Sequence, residues 1–348
     1  MEFYRHDSID IDLPGNNSSA SLQKRAANRA AAYCRRSFQV PDYNSWSSTG
    51  PNNYSPFNNY YTDNGCADWQ WLLRSGATQA ALPAAPAGYR YPDNTFATEH
   101  IFEIQQVARF LDYAKTNVPE FQQMFPDDQS FCTNFFGPFM ASTTVFADPG
   151  VYDYSVPQIQ QVYNSLEGGE GGSANEFVYL EAKVNSHKGF YFRGGAPSVP
   201  GATTYQSRLA EATRTSVVAM YLNTAAVANI YREVSNRIVV AFTAFGVACN
   251  DTSARADYHQ FGNVDWAGTY ARWEQSYLND IGSSMYVFAR AQANFADDLI
   301  KDELRTQSRS RDNDRATKMR LNEIRARIDY QLTRGDLQPS RFTLPLLR

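Results

Sequence analysis

The densest group of chemistry-capable side chains is Glu99-His100-Ile101-Phe102-Glu103. On a helix, residues three and four apart are neighbours, so His100 would meet Glu103, with Glu99 one turn away from it. An imidazole and two carboxylates can hold a hard metal ion or pass protons in a hydrolytic step. The same spacing has a structural reading. At 100° per residue His100 falls beside Ile104 and Val107 at the edge of an apolar face, where Glu103 or a backbone carbonyl satisfies its ring. The structural role is the expectation. A hydrolase or metal-dependent enzyme using Glu99, His100 and Glu103 is the alternative.

A second group is aromatic. Tyr54, Phe57, Tyr60, Tyr61, Trp69 and Trp71 crowd a polar stretch with Asp63, Asn64 and Asp68. Exposed rings beside polar groups can stack on sugars or partner surfaces, and Tyr60, Tyr61, Trp69 and Trp71 are the ligand-binding candidates. Their structural role would be to pin a loop-rich arm to the rest of the molecule. No GxSxG, HExxH, P-loop or CxxC pattern occurs. Asp7, Asp10 and Asp12 carry the spacing that leads to a catalytic Glu in family 18 glycoside hydrolases, but Pro14 stands in that place and cannot donate a proton. The run from Gly168 to Gly172 lacks dinucleotide-binding spacing and reads as a flexible turn. No cofactor and no metal site is implied.

The elements that must position these groups read as helices. Ile101, Ile104, Ala108 and Leu111 share a face, with Thr98 as N-cap, Glu99 in the first turn and Asn117-Val118-Pro119 as the stop. Further helices are expected over Ser155–Leu166 and Asn175–Lys188. A long one carries Val227, Ile230, Val234, Ile238, Phe242 and Phe245. Another carries Trp266, Tyr270, Trp273, Tyr277, Ile281, Met285 and Phe288, and the last spans Arg315–Thr333. Alternation of period two is rare. The expectation is a mainly α, multi-helix globular domain over residues 96–334, with a tail at 335–348. Before it come a flexible arm at 1–36, readable as a cleaved pro-segment, and a loop-rich aromatic arm at 37–95 rich in Gly, Pro, Ser and Asn.

Composition narrows the class. Apolar residues make up 43% of the 348, enough for a sizeable core, and the net charge of −4 gives no footprint for a nucleic acid. Residues 301–348 hold 12 Lys/Arg against 7 Asp/Glu, interleaved as on a solvated, salt-bridged helix. The longest apolar run, Ile238–Cys249, is shorter than the roughly 20 residues a membrane span needs. Residues 1–20 contain no signal-like apolar core.

Cys34, Cys66, Cys132 and Cys249 form no zinc spacing and permit either two disulfides or free thiols. If they pair, Cys34–Cys66 would close the arm and leave Cys132–Cys249. Sequons stand at Asn16, Asn17, Asn53 and Asn250, and dibasic pairs at Lys24-Arg25 and Arg35-Arg36, the first a natural processing site in an exposed arm.

Three stretches carry a likeness: Thr98–Gln105 with its EH-x-x-E-x-Q motif, Tyr179–Gly189, and Val217–Arg237 around Tyr221-Leu222-Asn223. Over roughly residues 91–295 the chain resembles the non-catalytic C-terminal region of fungal killer-toxin-like chitinases and related stand-alone secreted fungal proteins. The resemblance implies an extracellular fungal protein with disulfides and dibasic processing near its start. It does not imply hydrolysis, since the catalytic barrel of that family is a separate region. The function expected is therefore a secreted, non-enzymatic interaction protein, associated with cell walls or microbial antagonism, whose partner is a carbohydrate or another extracellular protein. A weaker third reading is a pore-associated protein that releases the Val227–Phe245 stripe on activation.

Overall fold

The fold was analysed as a computed structural model, which describes residues 30–41, 55–62, 69, 71–76, 89–90, 96–142, 156–250, 259–309 and 314–344. Asp7, Asp10, Asp12, the Lys24-Arg25 pair, Cys66 and the sequons at Asn16, Asn17 and Asn53 lie outside these residues. The chain is mainly α, as expected. Helices are α1 (Gln105–Asn117), α2 (Pro119–Met124), α3 (Asp128–Phe131), α4 (Gln158–Asn164), α5 (Ala182–Phe192) and α6 (Tyr205–Leu222). They continue with α7 (Ala225–Asn250), α8 (His259–Gly262), α9 (Trp266–Arg309) and α10 (Arg315–Thr333), and a π-helix covers Cys132–Met140.

The long helices form where the apolar period is sustained. Along α7, Val227, Val234, Ile238, Phe242 and Phe245 are all buried. Helix α9, of 44 residues, buries Trp266, Tyr270, Trp273, Ile281 and Met285 and continues beyond the expected stripe. At 1.5 Å per residue it is about 66 Å long. Phe110 of α1 sits within 4.8 Å of Phe242, 5.0 Å of Tyr270 and 5.5 Å of Trp273, so ring packing joins three helices at one point. The tail docks too: Leu337, Phe342 and Leu344 are buried.

Two expected helix starts are strands instead. Strands β1 (Ala30–Tyr33) and β2 (Arg36–Gln39) form a hairpin, while β3 (Ser55–Thr62), β4 (Trp71–Ser75), β5 (Tyr89–Arg90), β6 (Phe96–Glu99) and β7 (Val178–Glu181) form one sheet. Its order is β4-β3-β7-β6, with β5 also on β3; β3 runs parallel to β7, and β6 antiparallel to it. Thr98 is thus no N-cap but a strand residue opposite Tyr179, and helix α1 starts seven residues later, at Gln105. Likewise the stretch expected as one helix from Asn175 is strand β7 followed by α5. Both strands lie deep, β7 buried at all four positions, so the alternation that marks a half-exposed strand is absent. The sheet takes strands from both sides of the expected boundary at residue 95, so the described strands of the aromatic arm pair within the same sheet as β6 and β7.

The expected disulfide pairing is also overturned. Cys34 is bonded to Cys132, closing a loop with a sequence separation of 98, and Cys249 is a free, buried thiol. The bond ties the β1–β2 hairpin to the π-helix, and a loop of that length stabilises the fold by about 4–5 kcal/mol in the chain-entropy account.

The glycine run is an ordered turn. Gly168 has φ +70, and a Cβ there would lie 2.5 Å from the Phe177 ring. Its amide donates to Glu176 Oε2 (3.1 Å), and that carboxylate is held by Arg237 at 2.8 and 2.9 Å. We expect Gly168→Ala to lower unfolding stability by about 1–3 kcal/mol through backbone strain and the ring clash together. A urea midpoint equal to that of the parent protein would show that the turn relaxes freely.

Candidate functional site

The sheet and α5 bring Glu99, His100 and Glu103 together, but not as a helical trio. Glu99 is the last residue of β6, and His100 to Ile104 form an irregular turn before α1. At its centre is a residue the sequence reading missed. Lys188 of α5 is fully buried and points its ammonium at Glu99 Oε1, at Glu103 Oε1 (2.8 Å) and at the carbonyl oxygen of His100 (2.7 Å). Its Nζ also stands 4.9 Å from the Phe192 ring centroid. All three ammonium hydrogens therefore have acceptors, as a charge removed from water requires.

His100 does not pair with Glu103. Its Nδ1 lies 3.1 Å from Glu167 Oε2, and its ring meets Phe177 edge-on at 5.1 Å. The other oxygen of Glu167 accepts from the Phe102 amide at 2.6 Å. Glu167, with no exposed side-chain surface, thereby fastens the turn after α4 to the turn before α1. The hydroxyl of Tyr221 is buried nearby, has no hydrogen-bond partner among the described residues, and its pKa is pushed up by burial and by the charges of Glu99, Glu167 and Glu103.

The electrostatics follow from two carboxylates sharing one ammonium. Burial raises the pKa of Glu99, Glu103 and Glu167 raise it further, and Lys188 offsets only part of this. For Lys188 burial acts to lower the pKa, but Glu103 and Glu99 outweigh it and hold it above the ordinary value. Both shifts point the same way: the cluster retains protons.

The network continues inward. Gln106 accepts from the Glu103 amide (2.9 Å) and donates to Tyr231 Oη (2.6 Å). Beyond lies Glu274 of α9, which accepts from Ser235 Oγ at 2.7 Å and whose pKa burial pushes up to about 7. A separate seam joins α5 to α6, where His187 Nε2 is 3.0 Å from Glu211 Oε2 and Arg214 pairs with the same carboxylate. Burial acts to raise the Glu211 pKa, but His187 and Arg214 outweigh it and hold it low.

The aromatic candidates divide. Trp69 and Trp71 are each 3% exposed, with centroids 5.0 Å apart, so neither offers a free face for stacking. Trp69 Nε1 donates to Thr213 Oγ1 at 2.8 Å, and its carbonyl accepts from Arg327 at 3.1 Å, pinning the sheet side to α6 and α10. Tyr60 and Tyr61 fall on β3 opposite Leu72 and Trp71. The sequon residue Asn250 ends α7, exposed, with Nδ2 donating to Gly262 O at 2.8 Å.

Among the described residues no group of three or more His, Cys, Asp or Glu is placed to hold a metal ion, and no helix there is long and apolar enough to cross a membrane. Comparison with models of known protein families, with characterised proteins and with solved structures finds no match to this chain.

Lys188 could have been suspected from sequence. It stands four residues after Val184 and four before Phe192, on the apolar stripe of its own helix. Glu167 and Tyr221 gave no such signal, because their role depends on long-range contact.

Two outcomes test this account. Lys188→Met should cost about 3–5 kcal/mol in urea unfolding, because it leaves buried carboxylates unpaired. Restoring part of that loss with Glu99→Gln in the same chain is the matching expectation, and full stability of the single variant would refute the structural role. The second concerns pH. A carboxyl raised in the folded state stabilises fully below its unfolded value of about 4.5, and that contribution is lost as pH rises through the folded value. For Glu274 this amounts to on the order of 3 kcal/mol lost by about pH 8. The urea midpoint should therefore fall between about pH 5 and pH 8, with a shallower fall in Glu274→Gln; parallel curves would remove Glu274 as a source.

Proposed function

We propose that this chain is a secreted, non-enzymatic interaction protein of fungal type, acting at cell walls or in antagonism between microbes, with a carbohydrate or another extracellular protein as its partner. The observation that carries the reading is the state of Lys188 and the acids around it. The best candidate for a hydrolytic or metal centre is a largely buried ion-pair cluster in which Glu99, Glu103 and the His100 carbonyl each give an oxygen to one ammonium. A catalytic acid or base must come within hydrogen-bond reach of a substrate. Glu99 and His100 are each 3% exposed, and Glu103 is committed to Lys188.

The Cys34–Cys132 bond supports the extracellular part, since structural disulfides persist in oxidising compartments. The resemblance to the non-catalytic region of killer-toxin-like chitinases supports the fungal and cell-wall part. Trp69 and Trp71 are not the binding surface in this reading, because they serve the core.

The test uses disulfide-intact protein. Co-sedimentation with purified chitin, β-glucan and cell-wall mannoprotein should show saturable retention on one fraction, with no soluble sugar or peptide released. Release of product that Glu103→Gln abolishes, at an unchanged melting temperature, would overturn the proposal in favour of the hydrolase reading. Absence of retention on all three fractions would remove the cell-wall assignment.

A further inference from the structure

The second dibasic pair, Arg35-Arg36, plays no part in the cluster or in the proposed function. It lies at the tip of the β1–β2 hairpin, where Tyr33 pairs with Arg36 across a two-residue turn made by Cys34 and Arg35. Both turn residues are left-handed, with φ of 50° and 60°. Turns of this shape ordinarily use Asn-Gly or Asp-Gly, because side chains larger than these resist positive φ. Two adjacent non-glycine residues in that conformation persist only where the surroundings over-determine them.

Here the surroundings are the 132–141 segment. Cys34 is covalently bonded to Cys132. Arg36 Nη1 donates to the carbonyl of Ala141 at 3.1 Å, and its guanidinium lies over Gly137, where a Cβ would stand 3.3 Å from Nη2. Tyr33 meets the Phe136 ring at 4.8 Å. Arg35 and Arg36 remain exposed, while both cysteines are only partly buried.

We propose that Cys34–Cys132 is a redox latch that keeps Arg35-Arg36 from proteases specific for basic residues, and that reduction by a small-molecule thiol opens the pair to cleavage. A protease takes its substrate extended over several residues, with the basic side chain in its pocket. In the latched form the chain is closed into a turn and the Arg36 guanidinium is held by Ala141. The reductive step is ordinary exchange. A thiolate attacks Cys34 Sγ, giving a mixed disulfide and releasing the Cys132 thiolate, which takes a proton. A second thiolate then attacks the sulfur of the first and expels the Cys34 thiolate, which takes a proton, so two thiols become one external disulfide and both cysteines end as free thiols. With the covalent tie gone, the left-handed turn relaxes towards ordinary φ and the hairpin tip frays. The buried Ala31, Phe38 and Val40 keep the base of the hairpin in place. The inference does not depend on the proposed function, since it concerns the tip alone.

The experiment is limited trypsin digestion with mass-spectrometric mapping of every cut. It compares native protein, protein reduced with a phosphine and alkylated, and the Cys34→Ser/Cys132→Ser double variant. Cleavage after Arg35 or Arg36 should be at least tenfold faster in the two latch-free forms, a larger factor than for any cut elsewhere. Equal rates in native and latch-free protein would overturn the proposal. So would continued resistance of the tip in a latch-free form that keeps its helical circular dichroism. Hydrogen exchange covers the case in which the variant is globally destabilised. On reduction, amides of residues 33–36 should lose protection by a larger factor than those of α9, and equal loss in both would show global opening and refute a local latch.

Discussion

Lys188 carries a full charge into a fully buried place, and the fold around it supplies the three oxygens that make this tolerable. They come from the last residue of β6, from the backbone of His100 and from the turn before α1. The His100 carbonyl could not be reached if the chain were helical from Thr98 onward, because it would be occupied within its own helix. The requirement explains why the chain stays extended to Glu99, turns irregularly, and enters α1 only at Gln105. It also fixes α5 against the sheet, and Glu181 at the β7–α5 junction marks that entry by accepting from the Lys183 amide at 3.3 Å.

The cluster is joined to the rest of the core by shared partners. Glu167 holds His100 and the Phe102 amide together, and Gln106 passes the polar network to Tyr231 and so towards Glu274. A partly satisfied network of this kind would be costly in a low-dielectric interior. Its completeness at Lys188 makes the relative placement of α1, α5, α7 and α9 specific. The aromatic packing of Phe110 against Phe242, Tyr270 and Trp273 supplies the non-directional part of the same junction.

What the sequence makes legible follows the same division. Helices α7, α9 and α10 repeat their apolar residues every three or four positions over many turns, and α10 occupies Arg315–Thr333 as its pattern predicts. The sheet was not legible. Val178-Tyr179-Leu180-Glu181 is covered on both faces, so its residues do not alternate, and the apolar run Phe177-Val178-Tyr179-Leu180 reads equally as part of a helix. Thr98-Glu99 resembled a capped helix start for a related reason: a threonine followed by an acid is a local signal, whereas pairing with Tyr179 is a contact across more than 80 residues. The cysteines failed through the same missing information, since closeness in sequence suggested Cys34 with Cys66 while the fold places Cys34 beside Cys132. For the site, the residues at 99, 100 and 103 do meet in one cluster, but the partners expected within the trio were wrong. Each carboxylate or ring found its counterpart on a distant element.

A buried acid–base cluster and an active site use the same residues, and what separates them is whether any polar atom remains available to a third party. In catalysis the acid must leave a lone pair or proton facing the substrate, which keeps some of its desolvation cost unmet until the substrate arrives. Around Lys188 much of that demand is met from within: ammonium hydrogens on oxygens, Glu167 on an imidazole and an amide, Gln106 on an amide and a phenol, while the buried Tyr221 hydroxyl stands without a partner among the described residues. Drawing Glu103 out to a substrate would take one of the three acceptors from the lysine, and drawing Glu167 out would release two turns at once. On the proposed reading, the cost of that disruption makes the cluster a fastening and leaves function to the molecule's surface.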